Sequence, residues 1–368
     1  MDFQDSFAYS FNHFPSEKTC RLALFDLDST LIETKSGKTF PQHKDDWKWK
    51  FSEILKLLKE KCKKDDFVCV ISNQKGIMKK EEKKNAFFDK VKMINDEMKK
   101  EGIDMNWFVS LEEDYYRKPC TGSFHFIKSE LKKRSIKIQK SGSFFCGDAA
   151  GRSKDFSQSD MFFAHNCGLT FYTPESFFLD EGMPVLSLPK RPYLDCVVKE
   201  LPKIKVSNLF FVMISGAPAS GKSYLAEKMQ EKYGGIILES DKIKTHEKML
   251  KKMEEALSNI KSVFIVGTYP KRAIREMFLK KVKEISKEIV TYSICTKTTK
   301  DFINHLNSFR VEISENKIKK IPEVAYRVYE KDRDPIIASE GFSSVVDYEP
   351  CIHFDNKRIE EIFHYYYC

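Results

Sequence analysis

No apolar run in this chain of 368 residues approaches the roughly 18 residues needed to span a bilayer. No basic-then-apolar secretory signal opens it either, so membrane-spanning and secreted classes are set aside. Its ten cysteines include no CxxC pair, which removes the usual motif-level argument for a zinc or dithiol centre. Cys69, Cys146 and Cys295 fall in apolar stretches, where a thiol serves as a small hydrophobe, and reduced thiols are expected. Glycine (15) and proline (13) are too sparse for a fibrous or low-complexity chain, and no internal repeat is visible. A dominant charge is also missing. The 63 basic and 54 acidic side chains leave a net charge of +9, which suits a phosphate-rich polymer without proving one. Many lysines read as helix solvation. Residues 79–100 set Phe87, Phe88, Val91, Met93, Ile94 and Met98 among charges with helical spacing, as in an amphipathic helix covering a sheet.

What is present is a set of strand ends. Leu22 to Phe25 is an apolar run ending in Asp26-Leu27-Asp28-Ser29-Thr30. Two carboxylates one residue apart on extended backbone point to the same side. One can attack an electrophile while the other handles the leaving group's proton. Val68 to Ile71 is a second apolar strand, ending in Ser72-Asn73-Gln74, whose hydroxyl and amides suit phosphate oxygens. Lys118, in Arg117-Lys118-Pro119, can neutralise a phosphoryl group and keep aspartates ionised. Phe144 to Cys146 is a third strand, followed by Gly147-Asp148-Ala149-Ala150-Gly151-Arg152, with Asp148 placed to hold Mg²⁺. This ordered set resembles the haloacid dehalogenase phosphatases.

Further along, Gly216-Ala217-Pro218-Ala219-Ser220-Gly221-Lys222-Ser223 fits the GxxxxGKS phosphate-binding loop, between an apolar strand from Leu209 and a helical segment from Tyr224. In such a loop Lys222 reaches the β- and γ-phosphates of ATP and Ser223 binds Mg²⁺. The strings FDLDSTLIETKSGKTFP, ISNQKGI, YRKPCTG, FFCGDAAGR, KDFSQSD and TPESFF together resemble the phosphatase half of the polynucleotide kinase 3′-phosphatase family, which joins that domain to a P-loop kinase.

The resemblance implies an α/β chain of two domains, each a mainly parallel sheet with helices on both faces: a haloacid dehalogenase-like domain over 1–180, a proline-containing linker over 181–208, and a P-loop kinase over 209–368. Expected strands are 21–25, 67–71, 143–146 and 160–164 in the first domain, and 209–215, 236–238, 262–266, 289–294 and 344–347 in the second. About 19 residues precede the first expected strand, too few for the forkhead-associated domain that some family members carry.

The implied roles follow residue by residue. Asp26 is the nucleophile and Asp28 the acid and then base, with Ser72 and Lys118 holding phosphoryl oxygens. Asp26, Asp148 and the Asp28 carbonyl would hold Mg²⁺, while Asp155 and Asp160 are open between metal site and structural acceptor. Asp241 aligns with the carboxylate that activates a 5′-hydroxyl, its other reading being a helix cap, and Arg310 is the remaining lid arginine. The kinase half departs from the family pattern: Ser240 replaces an arginine, Val266-Gly267-Thr268-Tyr269-Pro270 lacks an aspartate, and Ser308 replaces a second lid arginine. The resulting expectation is a monomeric nuclear enzyme acting on DNA ends, with RNA also open, that removes 3′-phosphate and adds 5′-phosphate with Mg²⁺ and ATP. The alternatives are a 3′-phosphatase whose P-loop domain only binds, and a phosphatase of small metabolites.

Overall fold

A computed structural model describes residues 1–191, 194, 200–205 and 209–367. Part of the expected linker lies outside these described residues. The chain forms two compact units, one of residues 1–189, 308–320 and 361–368, the other of 190–307 and 321–360. The first unit therefore takes two segments from what reads in sequence as the second domain.

The first unit is built on β1 (Asp2–Phe3), β2 (Phe7–Ser10), β3 (Leu22–Phe25), β4 (Phe67–Asn73), β5 (Asn106–Ser110), β6 (Phe144–Cys146) and β7 (Thr170–Tyr172). Their order in the sheet is β1-β2-β5-β4-β3-β6-β7. Strands β3 to β7 pair in parallel, and β2 joins β5 antiparallel. Alternation decides the two faces. Ala23 and Phe25 enter one core with Val70 and Trp107, while Leu22 and Leu24 enter the other with Cys69, Phe108 and Phe145. Helices α1 (Ile54–Lys61) and α2 (Glu81–Lys100) belong to the first face, and α2 buries Phe87, Val91, Ile94 and Met98 at four- and three-residue steps. Helix α3 (Gly122–Lys133) contributes Phe124, Ile127 and Leu131 to the second face.

Three expectations change here. The apolar run at 160–164 belongs to α4 (Ser159–Cys167), not a strand. Its Met161, Phe162, Phe163 and Ala164 are all buried, so hydrophobicity carries no period that separates helix from strand. The expected strand at 21–25 is also not the first, since β1 and β2 precede it and extend the sheet. Among the cysteines, Cys69, Cys146 and Cys295 are buried free thiols, but Cys351 is disulfide-bonded.

The second unit has β8 (Phe210–Gly216), β9 (Ile236–Glu239), β10 (Val263–Val266), β11 (Val290–Thr296) and β12 (Ser344–Tyr348), all parallel, in the order β9-β10-β8-β11-β12. Phe211 and Met213 of β8 face one core, and Phe210, Val212 and Ile214 the other. Around this sheet lie α5 (Lys222–Tyr233), the single turn α6 (Ser240–Ile243), α7 (His246–Ser258) and α8 (Arg272–Ile285). Helix α9 (Lys300–Ile313) starts in this unit, and its residues from Ser308 on count with the first. Inside the second unit, Arg275 is fully buried, donates to both carboxylate oxygens of Glu340, and ties down the carbonyls of Tyr269 and Pro270.

Candidate active sites

Open parallel sheets place chemistry beyond the carboxyl ends of their strands. Asp26 follows β3, Ser72 lies in β4 and Asp148 follows β6, so the pairing of β3 between β4 and β6 brings these three ends side by side. The Asp26 N–H donates to the Cys146 carbonyl at 2.9 Å, which fixes the departure of the chain from the sheet. Just beyond, Ser29 adopts φ 58°, the left-handed conformation that glycine takes more readily. That turn is nonetheless well held: the Ser29 N–H donates to the Ile32 carbonyl at 2.7 Å, and Lys50 Nζ donates to the Ser29 carbonyl at 2.7 Å.

Lys118 is buried, with Nζ 2.6 Å from Asp26 Oδ1 and 2.8 Å from Asp160 Oδ1. Asn73 clamps the lysine's backbone in both directions at 3.0 Å. Its amide thus serves as scaffold, not as the phosphate ligand that its position after Ser72 suggests. Carboxylate oxygens of Asp26, Asp148 and Asp160 all lie within 4.8 Å of one another. Asp160, the one of these three left open by sequence, also accepts from the Ala149 N–H at 3.1 Å. A Cβ at position 147 would stand 2.3 Å from Asp160 Oδ2, so glycine there is what admits this carboxylate. Asp155 takes the structural alternative: it accepts from the backbone N–H groups of Ala150 and Arg152 at 3.2 and 3.0 Å, and from Arg152 Nε at 2.8 Å. The same arginine reaches the Asp148 carbonyl at 3.1 Å, locking the loop that carries this carboxylate.

The Asp28 carboxylate lies outside this three-carboxylate cluster. Gln74 Nε2 donates to its Oδ2 at 2.6 Å and to Ser72 Oγ at 2.9 Å, and Lys90 Nζ stands 3.2 Å from Oδ1. Lys90 escapes sequence reading because it reads as one more lysine on a solvated helix, yet it is buried.

Electrostatics mark the cluster as short of positive charge. Burial pushes the Asp26 carboxyl well above its usual range; Lys118 opposes the rise, and Asp160 and Asp148 add to it. Asp148 is pushed up to about 6, first by burial and then by Asp160. Burial works against the Lys118 ammonium, but Asp160 and Asp26 outweigh it and raise its pKa. Three carboxylates against one ammonium leave a site that a hard divalent cation neutralises with oxygen ligands, so the donor set fits Mg²⁺.

In the second unit the Gly216–Ser223 loop joins the end of β8 to the start of α5. Gly216 has φ 146°, and a Cβ there would meet Thr296 Oγ1 at 2.0 Å. Thr296 Oγ1 in turn bonds Ser220 Oγ at 2.6 Å and the Ser215 carbonyl at 3.1 Å, so the loop is stapled to β11. Gly221, at φ 82°, precedes the first turn of α5 and turns the chain into it. Lys222 Nζ donates to the Ala217 carbonyl at 2.6 Å, folding back across the loop. This is a backbone nest at a helix N-terminus with an ammonium beside it. Asp241 lies exposed in the single turn α6 after β9; Glu239, not Asp241, occupies the cap position. A Cβ on Gly267 would stand 2.7 Å from Ser240 Oγ and 2.9 Å from the Tyr269 ring, so the space of the missing aspartate is already filled. Arg310 and Ser308 belong to the segment of α9 in the first unit, and the second unit's site is built without them.

A carboxylate cluster at the strand ends of a doubly wound sheet, followed by a phosphate-binding loop on a second parallel sheet, defines a phosphatase–kinase of haloacid dehalogenase and P-loop type. The sequence model described as "Polynucleotide kinase 3 phosphatase" matches residues 21–178. A "Bifunctional polynucleotide phosphatase/kinase" of Schizosaccharomyces pombe is 32% identical across 95% of this chain and 84% of its own length. A "Polynucleotide 3'-phosphatase" of Saccharomyces cerevisiae is 29% identical across 48% of this chain and 94% of its own. The chain belongs to the bifunctional polynucleotide phosphatase/kinase family.

Proposed function

We propose that the first unit removes 3′-phosphate from polynucleotide ends and that the second transfers phosphate from ATP to 5′-hydroxyl ends, together preparing broken strands for sealing. The observation that carries this reading is Lys118 bridging Asp26 and Asp160 beside Asp148 at the strand ends. Asp26 Oδ attacks the phosphorus and forms an aspartyl-phosphate as the bond to the 3′-oxygen breaks. Asp28 gives that oxygen a proton, and then takes one from the water that hydrolyses the intermediate. Ser72 and Lys118 hold the transferring oxygens. Mg²⁺, bound by Asp26, Asp148 and Asp160, would supply charge neutralisation between nucleophile and phosphate.

In the second unit the Gly216–Ser223 loop cradles the ATP phosphates, with Lys222 at the β- and γ-phosphates and Ser223 toward Mg²⁺. Asp241 accepts the proton of the attacking 5′-hydroxyl. One observation favours the narrower reading, a phosphatase with a weak kinase. Among the described residues Asp241 has no hydrogen bond or ion pair to orient it, and Ser240, Gly267 and Ser308 stand where the family pattern has charge. Action on DNA in the nucleus, as a monomer, belongs to the same proposal. The test is one oligonucleotide with a 3′-phosphate and a 5′-hydroxyl, incubated with labelled ATP. Loss of the 3′-phosphate with slower gain of the 5′-label is expected. Turnover of sugar phosphates at equal or higher kcat/KM would overturn the polynucleotide assignment.

A further inference from the structure

Helix α2 turns one face to the core, and that face carries one charge. Lys90 lies among Phe87, Val91 and Ile94 and is 3% exposed. Its ammonium stands 5.2 Å from the centre of the Phe87 ring and 3.2 Å from Asp28 Oδ1. Among the described residues, Asp28 is its sole hydrogen-bond partner. Burying an ammonium is unfavourable, and a buried ion pair often stabilises no more than an apolar side chain of similar volume. The lysine's placement is better explained by what it does to Asp28 than by folding.

Asp28 lies two residues from Asp26, beside a cluster that gathers three carboxylates for a divalent ion. Left to itself, a fourth carboxylate would be drawn to the same cation. Here its two oxygens are held separately, Oδ2 by Gln74 at 2.6 Å and Oδ1 by Lys90 at 3.2 Å. We propose that Lys90, with Gln74, is a positioning residue that keeps the Asp28 carboxyl off the metal and aimed at the leaving oxygen. The proposal rests on the phosphatase reading of the first unit. In the step concerned, the Asp26 Oδ–P bond forms and the P–O bond to C3′ breaks. The electron pair of the broken bond goes to the 3′-oxygen, which takes the proton carried by Asp28.

A positioned acid is essential for a sugar alkoxide and dispensable for a leaving group as acidic as p-nitrophenol. The experiment therefore compares the protein with its Lys90→Met, Lys90→Gln and Lys90→Arg variants on two substrates. For Lys90→Met, kcat on a 3′-phosphorylated oligonucleotide should fall about 10- to 100-fold. The rate of the first-turnover burst of nitrophenolate from p-nitrophenyl phosphate should change less than about threefold, because only the second half of the cycle then needs Asp28. Calorimetric Mg²⁺ affinity should rise, since a carboxylate is freed for the ion and a cation is removed. Lys90→Arg should restore most of the oligonucleotide rate. Lys90→Gln should show the same split between substrates, which covers the case of a Lys90→Met protein that does not fold. Equal losses on both substrates, or no loss on the oligonucleotide, would overturn the proposal while leaving the phosphatase reading intact. A wild-type protein inactive on the 3′-phosphorylated oligonucleotide would overturn that reading itself.

Discussion

Lowering the pH should strip the metal from the first unit before it unfolds the protein. Asp148 is raised to about 6 by burial and by Asp160, and Asp26 is raised as well. Both must be ionised to ligate a cation, so binding displaces whatever protons they carry. Above pH 7 Asp148 is already charged. Below about 6 it holds a proton, and each further unit of pH should weaken Mg²⁺ binding about tenfold through this group alone. With Asp26 also protonated the loss should approach about a hundredfold per unit. For the metal-free fold the effect of pH is opposite in sign. A carboxyl whose folded pKa lies above its ordinary value favours folding when protonated, and that contribution is lost as pH rises from about 4 through 6. Added Mg²⁺ should therefore raise the Tm strongly at pH 7.5 and little at pH 5. Calorimetry in two buffers of different ionisation enthalpy gives affinity and proton release together. An affinity flat between pH 5 and pH 7, with no protons released, would refute the reasoning.

Other outcomes follow from single contacts. Asp26→Asn should lower 3′-phosphate release by on the order of a thousandfold or more, read by single-turnover kinetics, with the fold kept. Gly216→Ala places a Cβ 2.0 Å from Thr296 Oγ1, so it should distort the loop, abolish ATP binding by calorimetry, and spare the phosphatase. Arg275→Met strands Glu340 in the core of the second unit and should destabilise that unit by about 3–5 kcal/mol in urea unfolding, whereas Arg275→Met with Glu340→Leu should recover much of this. Asp241→Ala should remove 5′-transfer without altering ATP affinity, as measured with a labelled oligonucleotide acceptor.

The legible parts of this protein were those whose chemistry is written locally. DxDST after an apolar strand and GxxxxGKS between strand and helix each compress a site into a few residues, and Asp26, Asp148 and Lys118 stand together as that reading expects. The β8 strand and the helix after Lys222 were equally plain, because a buried run and a helical period flank the loop. What stayed open or escaped was decided by tertiary neighbours. Asp160 joins the carboxylates from the first turn of α4, a segment whose uniform burial hides its helical period. Lys90 reaches Asp28 from 62 residues away, and nothing near it in sequence distinguishes it from solvated lysines. Glu312 shows the same limit at domain scale. From a segment that reads as kinase lid, its carboxylate accepts from the Thr121 N–H and hydroxyl, three residues after Lys118, within the first unit. Asn73 was misassigned for a related reason: its neighbours Ser72 and Gln74 face the site, while its own amide is consumed by the Lys118 backbone.

The central claim is that Asp26 carries the phosphoryl group. Rapid acid quench of the wild-type protein with an oligonucleotide bearing labelled 3′-phosphate, followed by peptide mapping, tests it directly. The account predicts a labelled aspartyl-phosphate on the peptide containing Asp26, absent from Asp26→Asn and more abundant when water attack is slowed. Label on another residue, or an Asp26→Asn protein that releases 3′-phosphate at the wild-type rate, would contradict it.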